Sequence, residues 1–298
     1  MNVAHGINLS QLRMFVAVVE EGGFGAAAVA LGVTQPAVSH GIRALERTVG
    51  GAVIDRGAAN AVPTEYGAGL LPHARAAVGA VNAVGDIAAA RHGSPRGLVR
   101  LAAPPTVCQG LLPRLVPQWA QALPRVAVRV FEGEDDEVEE WLRAGSVDAA
   151  VLVDPPAQTP GTMLAEDDFQ VLLPRDHALA GHEAVTLGQI AGEPMLFSGG
   201  SCEQPIHDLY RDAGLRLSPT HQVRELSTLF AMVRSGMGVT IVPGLVRAIL
   251  DDELVLVALD PTHHRRLWLT GASGRPWHPA VTALVQTVAG SGVPGAIA

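Results

Sequence analysis

The chain has 298 residues, 48% hydrophobic and 17% charged, with a formal net charge of −8. That length exceeds one ordinary hydrophobic core and the apolar fraction excludes extensive disorder, so two or three packed units are expected. No apolar run approaches the ~18 residues of a membrane span, and the opening MNVAHGINLS lacks the basic start and apolar stretch of an export signal. Cys108 and Cys202 supply neither a disulfide framework nor a zinc site. The expectation is a cytoplasmic protein without membrane association, metal or cofactor. All 21 basic residues are arginine. The acidic balance excludes a chain that coats nucleic acid along its length, but leaves room for a small DNA-reading domain.

In LSQLRMFVAVVEEG, Leu12, Phe15, Val16 and Val19 fall at i, i+3, i+4 and i+7, one buried stripe of a helix that Gly22-Gly23 ends. FGAAAVALGV repeats the spacing with Phe24, Ala27, Ala28 and Leu31, and Gly32 stops it. A third helix follows in TQPAVSHGIRALE. Thr34 is placed to cap it, and Pro36 sits in the first turn, where a missing N–H costs nothing. Val38, Ile42 and Leu45 make its buried face; Gln35, Ser39, His40 and Arg43 lie on or near the opposite one. Two helices joined by the short turn LGVT read as a helix-turn-helix, whose second member enters the major groove.

From Thr64 to Arg91 the sequence is rich in alanine. Leu70, Ala74, Ala77, Val81, Val84 and Ala88 recur in steps of four and three, a heptad seam suited to pairing with a second helix. HGSPRG then reads as a hinge. Beyond Leu98, short apolar runs (LVRLAA, VAVRVFEG, VDAAVLV, FQVLLP, PMLF, HQVR, GVTIVPG, LVLVAL, RRLWLTG) alternate with helical patterns, which predicts a mostly parallel α/β architecture.

The stretch from LSQLRMFVAVVEEG through GGAVIDR to VPTEYG resembles the N-terminal domain of LysR-type transcriptional regulators, and the resemblance continues over nearly the whole chain. It implies an all-α winged helix-turn-helix over 1–66, a linker helix and hinge over 67–96 that pairs two subunits, and an effector domain over 97–298. That domain would be α/β and two-lobed, similar to periplasmic solute-binding proteins, with lobe I about 97–166 and 269–298 and lobe II about 167–268. The implied partners are double-stranded promoter DNA, a small-molecule effector and further copies of the chain, as a homodimer or homotetramer. An enzyme is not expected: GGSCE is not a nucleophile elbow, and no nucleophile, base and orienter set is found.

For DNA contact the candidates are Thr34 as cap, Gln35, Pro36, Ser39, His40 and Arg43 on the recognition helix, and Arg56 near the wing. Gln pairs bidentately with adenine, Ser bonds base or phosphate, and Arg holds phosphate or guanine. Two departures from the family pattern bear on affinity. His40 stands where arginine is common, and alanine replaces the basic residue that usually begins the second helix. Over 1–66, Arg13, Arg43, Arg47 and Arg56 oppose Glu20, Glu21, Glu46, Asp55 and Glu65, a charge of −1. Binding is then expected to rely on avidity and on the hydrogen bonding or charge of His40.

For the effector, TVCQ (Thr106 to Gln109) and SCEQ (Ser201 to Gln204) both match a capping box, so each is expected to begin a helix. In the resembled fold the two helices come from opposite lobes and face one cleft. The candidates are Thr106, Val107 and Cys108 on one side and Ser198, Gly199, Gly200, Ser201 and Cys202 on the other. Exposed N–H groups there favour a carboxylate or other anion. Cys202 also lies where peroxide-sensing members of the family resemble this stretch, and a disulfide to Cys108 across the cleft is the corresponding redox test. The acidic run EGEDDEVEEW is most simply a solvated helix start. In THHRR, adjacent histidines point apart on a strand, and SGMGVTIVPG lacks the third glycine of a dinucleotide loop, so neither marks a metal or nucleotide site.

Overall fold

The computed structural model describes residues 6–55, 61–90, 95–200 and 202–290. The chain forms two units, Met1–Pro95 with Arg143–Val147, and Arg96–Leu142 with Asp148–Ala298.

In the first unit Asn8 caps helix α1 (Leu9–Glu20): its side chain accepts from the Ser10 N–H, and the Gln11 side chain accepts from the Asn8 N–H, closing a capping box. Helix α2 (Phe24–Leu31) ends on Gly32 at φ +64, a left-handed residue that turns the chain into α3 (Gln35–Val49). Phe15, Val38 and Ile42 are fully buried between the three helices. Val18, outside the predicted stripe, is fully buried too, because α1 packs against α2, α3 and the long helix α4 (Glu65–Ala90). Strands β1 (Ile54–Asp55) and β2 (Val62–Pro63) pair antiparallel as a short wing. Arg56 lies outside the described residues.

The seam expected along α4 divides in two. Ala74 is buried and Leu70 packs against the same core as Phe15, whereas Val81, Val84 and Ala88 are exposed, together with Ile87. The first half of the repeat therefore covers this chain's own helices and only the second half is left for a partner. Gly67 fixes the start of α4: a Cβ there would stand 2.1 Å from the Val53 carbonyl oxygen. Backbone cannot yield as a side-chain tip does, so Gly67→Ala is expected to cost about 1–3 kcal/mol in chemical denaturation; an unchanged midpoint would refute the contact.

In the second unit, β3 (Gly97–Ala103), β4 (Val126–Glu132) and β5 (Ala149–Val153) run parallel in the order β4-β3-β5. Helices α5 (Pro105–Gly110), α6 (Leu112–Ala122) and α7 (Asp135–Arg143) connect them. The sheet continues through β6 (Thr162–Pro174), β7 (Ala184–Val185), β10 (Thr240–Pro243), β11 (Leu254–Leu259) and β12 (His264–Gly271), in the order β5-β12-β6-β11-β7 with β10 also on β6. Apart from the parallel β11–β7 pair, these junctions are antiparallel, so the sheet is mixed rather than mostly parallel. The source of this is β6. Thirteen residues long where FQVLLP suggested six, it runs beside β12 at its start and beside β10 and β11 at its end.

Two lobes result, each with its own core. One gathers Val99, Leu101, Val151, Leu267, Leu269 and Leu284, the last from helix α11 (Pro279–Gly290). The other gathers Phe169, Val171, Leu173, Ile206 and Ile241 around α8 (Leu187–Ile190), β8 (Met195–Ser198) and α9 (Glu203–Asp212), and a satellite cluster holds Leu229 and Val233. Strand β9 (Pro219–Val223) pairs with β8 and leads into α10 (Leu226–Arg234). Among the described residues no helix is long and apolar enough to cross a membrane.

Candidate functional site

The N-terminal half of α3 is presented to solvent by a buried underside. Thr34 stands in extended conformation, and its hydroxyl accepts from the Ala37 N–H at 3.4 Å, with Pro36 in the first turn. Val38, Gly41, Ile42 and Leu45 anchor the helix on the core. Gln35, Pro36, His40 and Arg43 are exposed and Ser39 half-buried, so these predicted contact residues share one accessible stretch. Glu46 faces inward instead, its carboxylate accepting from the Val53 N–H at 3.2 Å.

The second constellation is a cavity of about 310 Å³ between the lobes. Thr106, Ser198, Gly199 and Cys202 line it. Val107 and Cys108 do not: Val107 is fully buried in the core of the first lobe, and the Cys108 thiol donates to the Ala103 carbonyl against that core. Gly200, at φ +90, lies beside the cavity, and a Cβ on it would come 2.5 Å from a Glu134 carboxylate oxygen of the opposite lobe. Ser201 lies outside the described residues.

The capping arrangement expected at Thr106 does not form, and the one expected at Ser201 falls on a residue outside the described ones. Pro104 takes the capping position and Pro105 starts α5, two residues ahead of the expected cap, so Thr106 is inside the helix and no side chain caps it. Helix α9 begins at Glu203 with Cys202 at the capping position and no side-chain cap. The Thr106 hydroxyl has another role. It accepts from the Arg265 guanidinium at 2.9 Å, and that guanidinium holds Asp167 at 2.7 and 3.0 Å. The Arg265 and Asp167 side chains are 4% and 1% exposed. The other Asp167 oxygen accepts from the Leu245 and Asp168 N–H groups, so the pair is charge-balanced and hydrogen-bonded, as burial requires. Arg265 of the pair lines the cavity, where β12 runs antiparallel beside β6.

The cavity walls also contain groups absent from the expectation. Glu132, Glu134 and Glu137 come from the end of β4 and the start of α7, and Arg224 and Glu225 from the β9–α10 junction. The acidic run is thus a cleft wall and not merely a solvated face. Arg265 was legible in principle: on β12 it shares parity with the buried Leu267 and Leu269, while Arg266 points outward.

Both thiols are held protonated. Burial pushes Cys202 up to about 11; Arg265 pulls it down, and the carboxylates of Asp135, Glu134 and Asp167 raise it. Burial, with Glu132, pushes Cys108 up to about 12. The two pack against different lobes' cores.

A winged helix-turn-helix together with a two-lobed α/β unit enclosing a small cavity defines a ligand-responsive DNA-binding regulator. Residues 9–68 match the bacterial regulatory helix-turn-helix model of the lysR family, and residues 92–292 match the LysR substrate binding domain. The chain belongs to the LysR family of transcriptional regulators. It is 33% identical over 266 residues to the HTH-type transcriptional regulator YvbU of Bacillus subtilis, covering 88% of this chain and 91% of the relative. It is 35% identical over 241 residues to a probable hydrogen peroxide-inducible genes activator of Mycobacterium avium, covering 79% and 77%. Among solved structures, a full-length OxyR variant from Pseudomonas aeruginosa shares the fold with a TM-score of 0.77 at 23% identity, over 95% of this chain and 94% of that one. These relatives are named as regulators, not as enzymes.

Proposed function

We propose that the protein binds promoter DNA as a homodimer or homotetramer through Gln35, Ser39, His40 and Arg43, and that a small molecule in the inter-lobe cleft shifts the spacing of paired recognition helices. The observation that carries the reading is the exposed polar start of α3 on a fully buried underside. Paired recognition helices read half-sites about one DNA turn apart, ~34 Å. A ligand shifts that spacing only if it binds two quaternary states unequally.

Footprinting on the intergenic DNA upstream of its own gene, with salt titration and nonspecific competitor, tests this. Two-fold-symmetric protection is expected, and its absence at low salt on operator-containing DNA would overturn the reading. His40→Arg should tighten binding and steepen the salt dependence by about 0.9 per added phosphate contact. Unchanged or weaker affinity would count against this role for His40.

Peroxide sensing, which the name of the mycobacterial relative carries, is not part of this proposal. The protonated Cys202 thiol opposes it. Mass spectrometry after mild peroxide treatment is expected to find no Cys108–Cys202 link; a stoichiometric link would overturn this exclusion.

A further inference from the structure

The expectation of an anionic effector rested on two open helix starts, with Thr106 and a Ser201-led box offering donors. In the structure the Ser198 hydroxyl donates to the Gly199 carbonyl and is engaged, whereas Thr106 accepts from Arg265 and keeps its own O–H, one neutral donor among the charged walls. What remains is charge. Four carboxylates, Glu132, Glu134, Glu137 and Glu225, line the cavity against two guanidiniums, Arg224 and Arg265.

Their existing partners sharpen the imbalance. Arg265 is neutralised by buried Asp167. Glu137 accepts from the Glu134 N–H at 3.0 Å and so answers the positive end of its own helix. Glu134 packs over the Gly200 backbone. Glu132 and Glu225 are exposed and, among the described residues, have no ion-pair or side-chain hydrogen-bond partner; Arg224 is in the same position with the opposite sign. The amino ends of α9 and α10 each contribute at most about half a positive charge, and Glu203 offsets the first of them. An anion seated at Arg224 would face an acidic field; a cation would relieve it and join the lobes.

We propose that the cleft takes a small cation bearing N–H donors, a primary amine or guanidine, held between Glu132 of one lobe and Glu225 of the other. The assignment rests on the cleft being the effector site. Carboxylates on both walls accept N–H hydrogen bonds with charge assistance. No aromatic ring is among the lining residues, so a quaternary ammonium, which depends on aromatic faces, is not favoured. A cavity of about 310 Å³ suits a ligand of metabolite size.

The test is calorimetry of the full-length protein with agmatine, putrescine, choline and succinate at up to millimolar concentration, followed by hydrogen exchange. Agmatine or putrescine is expected to bind, choline and succinate at least about tenfold more weakly, and Glu132→Gln and Glu225→Gln each to weaken the amine by about tenfold or more. Protection should appear around residues 132–137 and 223–226. Succinate binding more tightly than both amines, with protection in the cleft, would overturn the cation assignment and leave the cleft reading standing. Amine binding that is unmoved by both substitutions and protects other segments would overturn both. No binding by either amine would also overturn the cation assignment.

Discussion

Asp167→Ala is expected to destabilise the effector unit by roughly 3–5 kcal/mol, and Arg265→Ala by somewhat less, because each leaves a buried charge without its partner. The order follows from what remains. Without Arg265, the Asp167 carboxylate still accepts two backbone N–H groups, from Leu245 and Asp168. Without Asp167, the Arg265 guanidinium keeps only Thr106 and the distant face of Phe169, and the Leu245 N–H loses its acceptor. Replacing both, as Asp167→Leu with Arg265→Met, removes the charges together with their desolvation cost and should recover much of the loss. Urea unfolding of the wild type, Asp167→Leu, Arg265→Met and the double variant checks the cycle. Additive losses would mean that the two side chains do not act as a pair.

Arg43→Ala should weaken operator binding about tenfold or more at moderate salt. Helix α3 carries two cationic side chains, Arg43 and Arg47, in a domain whose formal charge is already −1, so each guanidinium on its exposed face carries an unusual share of phosphate attraction. A phosphate contact predicts a uniform loss on specific and nonspecific DNA and a salt slope shallower by about 0.9 per subunit. A guanine contact predicts a loss of about 1–3 kcal/mol on the operator alone. Salt titrations on both DNAs separate these cases, and unchanged affinity on both would take Arg43 off the interface.

The three short helices were legible because each buries a local stripe whose spacing is written in neighbouring residues. Val18 escaped that logic because α1 is covered by three helices, and the third comes from far along the chain. The extent of β6 was hidden for a related reason: its first residues pair with β12 and its last with β10 and β11, partners 68 to 107 positions away. At the cleft, Ser198, Gly199 and Cys202 were placed by resemblance, whereas the capping pattern misled at Thr106. Pro104-Pro105 was the better local guide, since proline at a first helical position sets the start. The acidic walls were visible as charges, but their convergence depends on β4 and β9 ending at the same gap.

The exposed half of α4 has a consequence for mass action. Val81, Val84 and Ile87 are 41%, 66% and 58% exposed, so a lone chain keeps these apolar side chains in water, and under the proposed pairing a second copy would cover them. Apparent stability then rises with protein concentration. Melting temperatures taken at two dilutions should differ, and the amount of regulator in a cell would influence how long each copy survives as well as how much DNA is occupied.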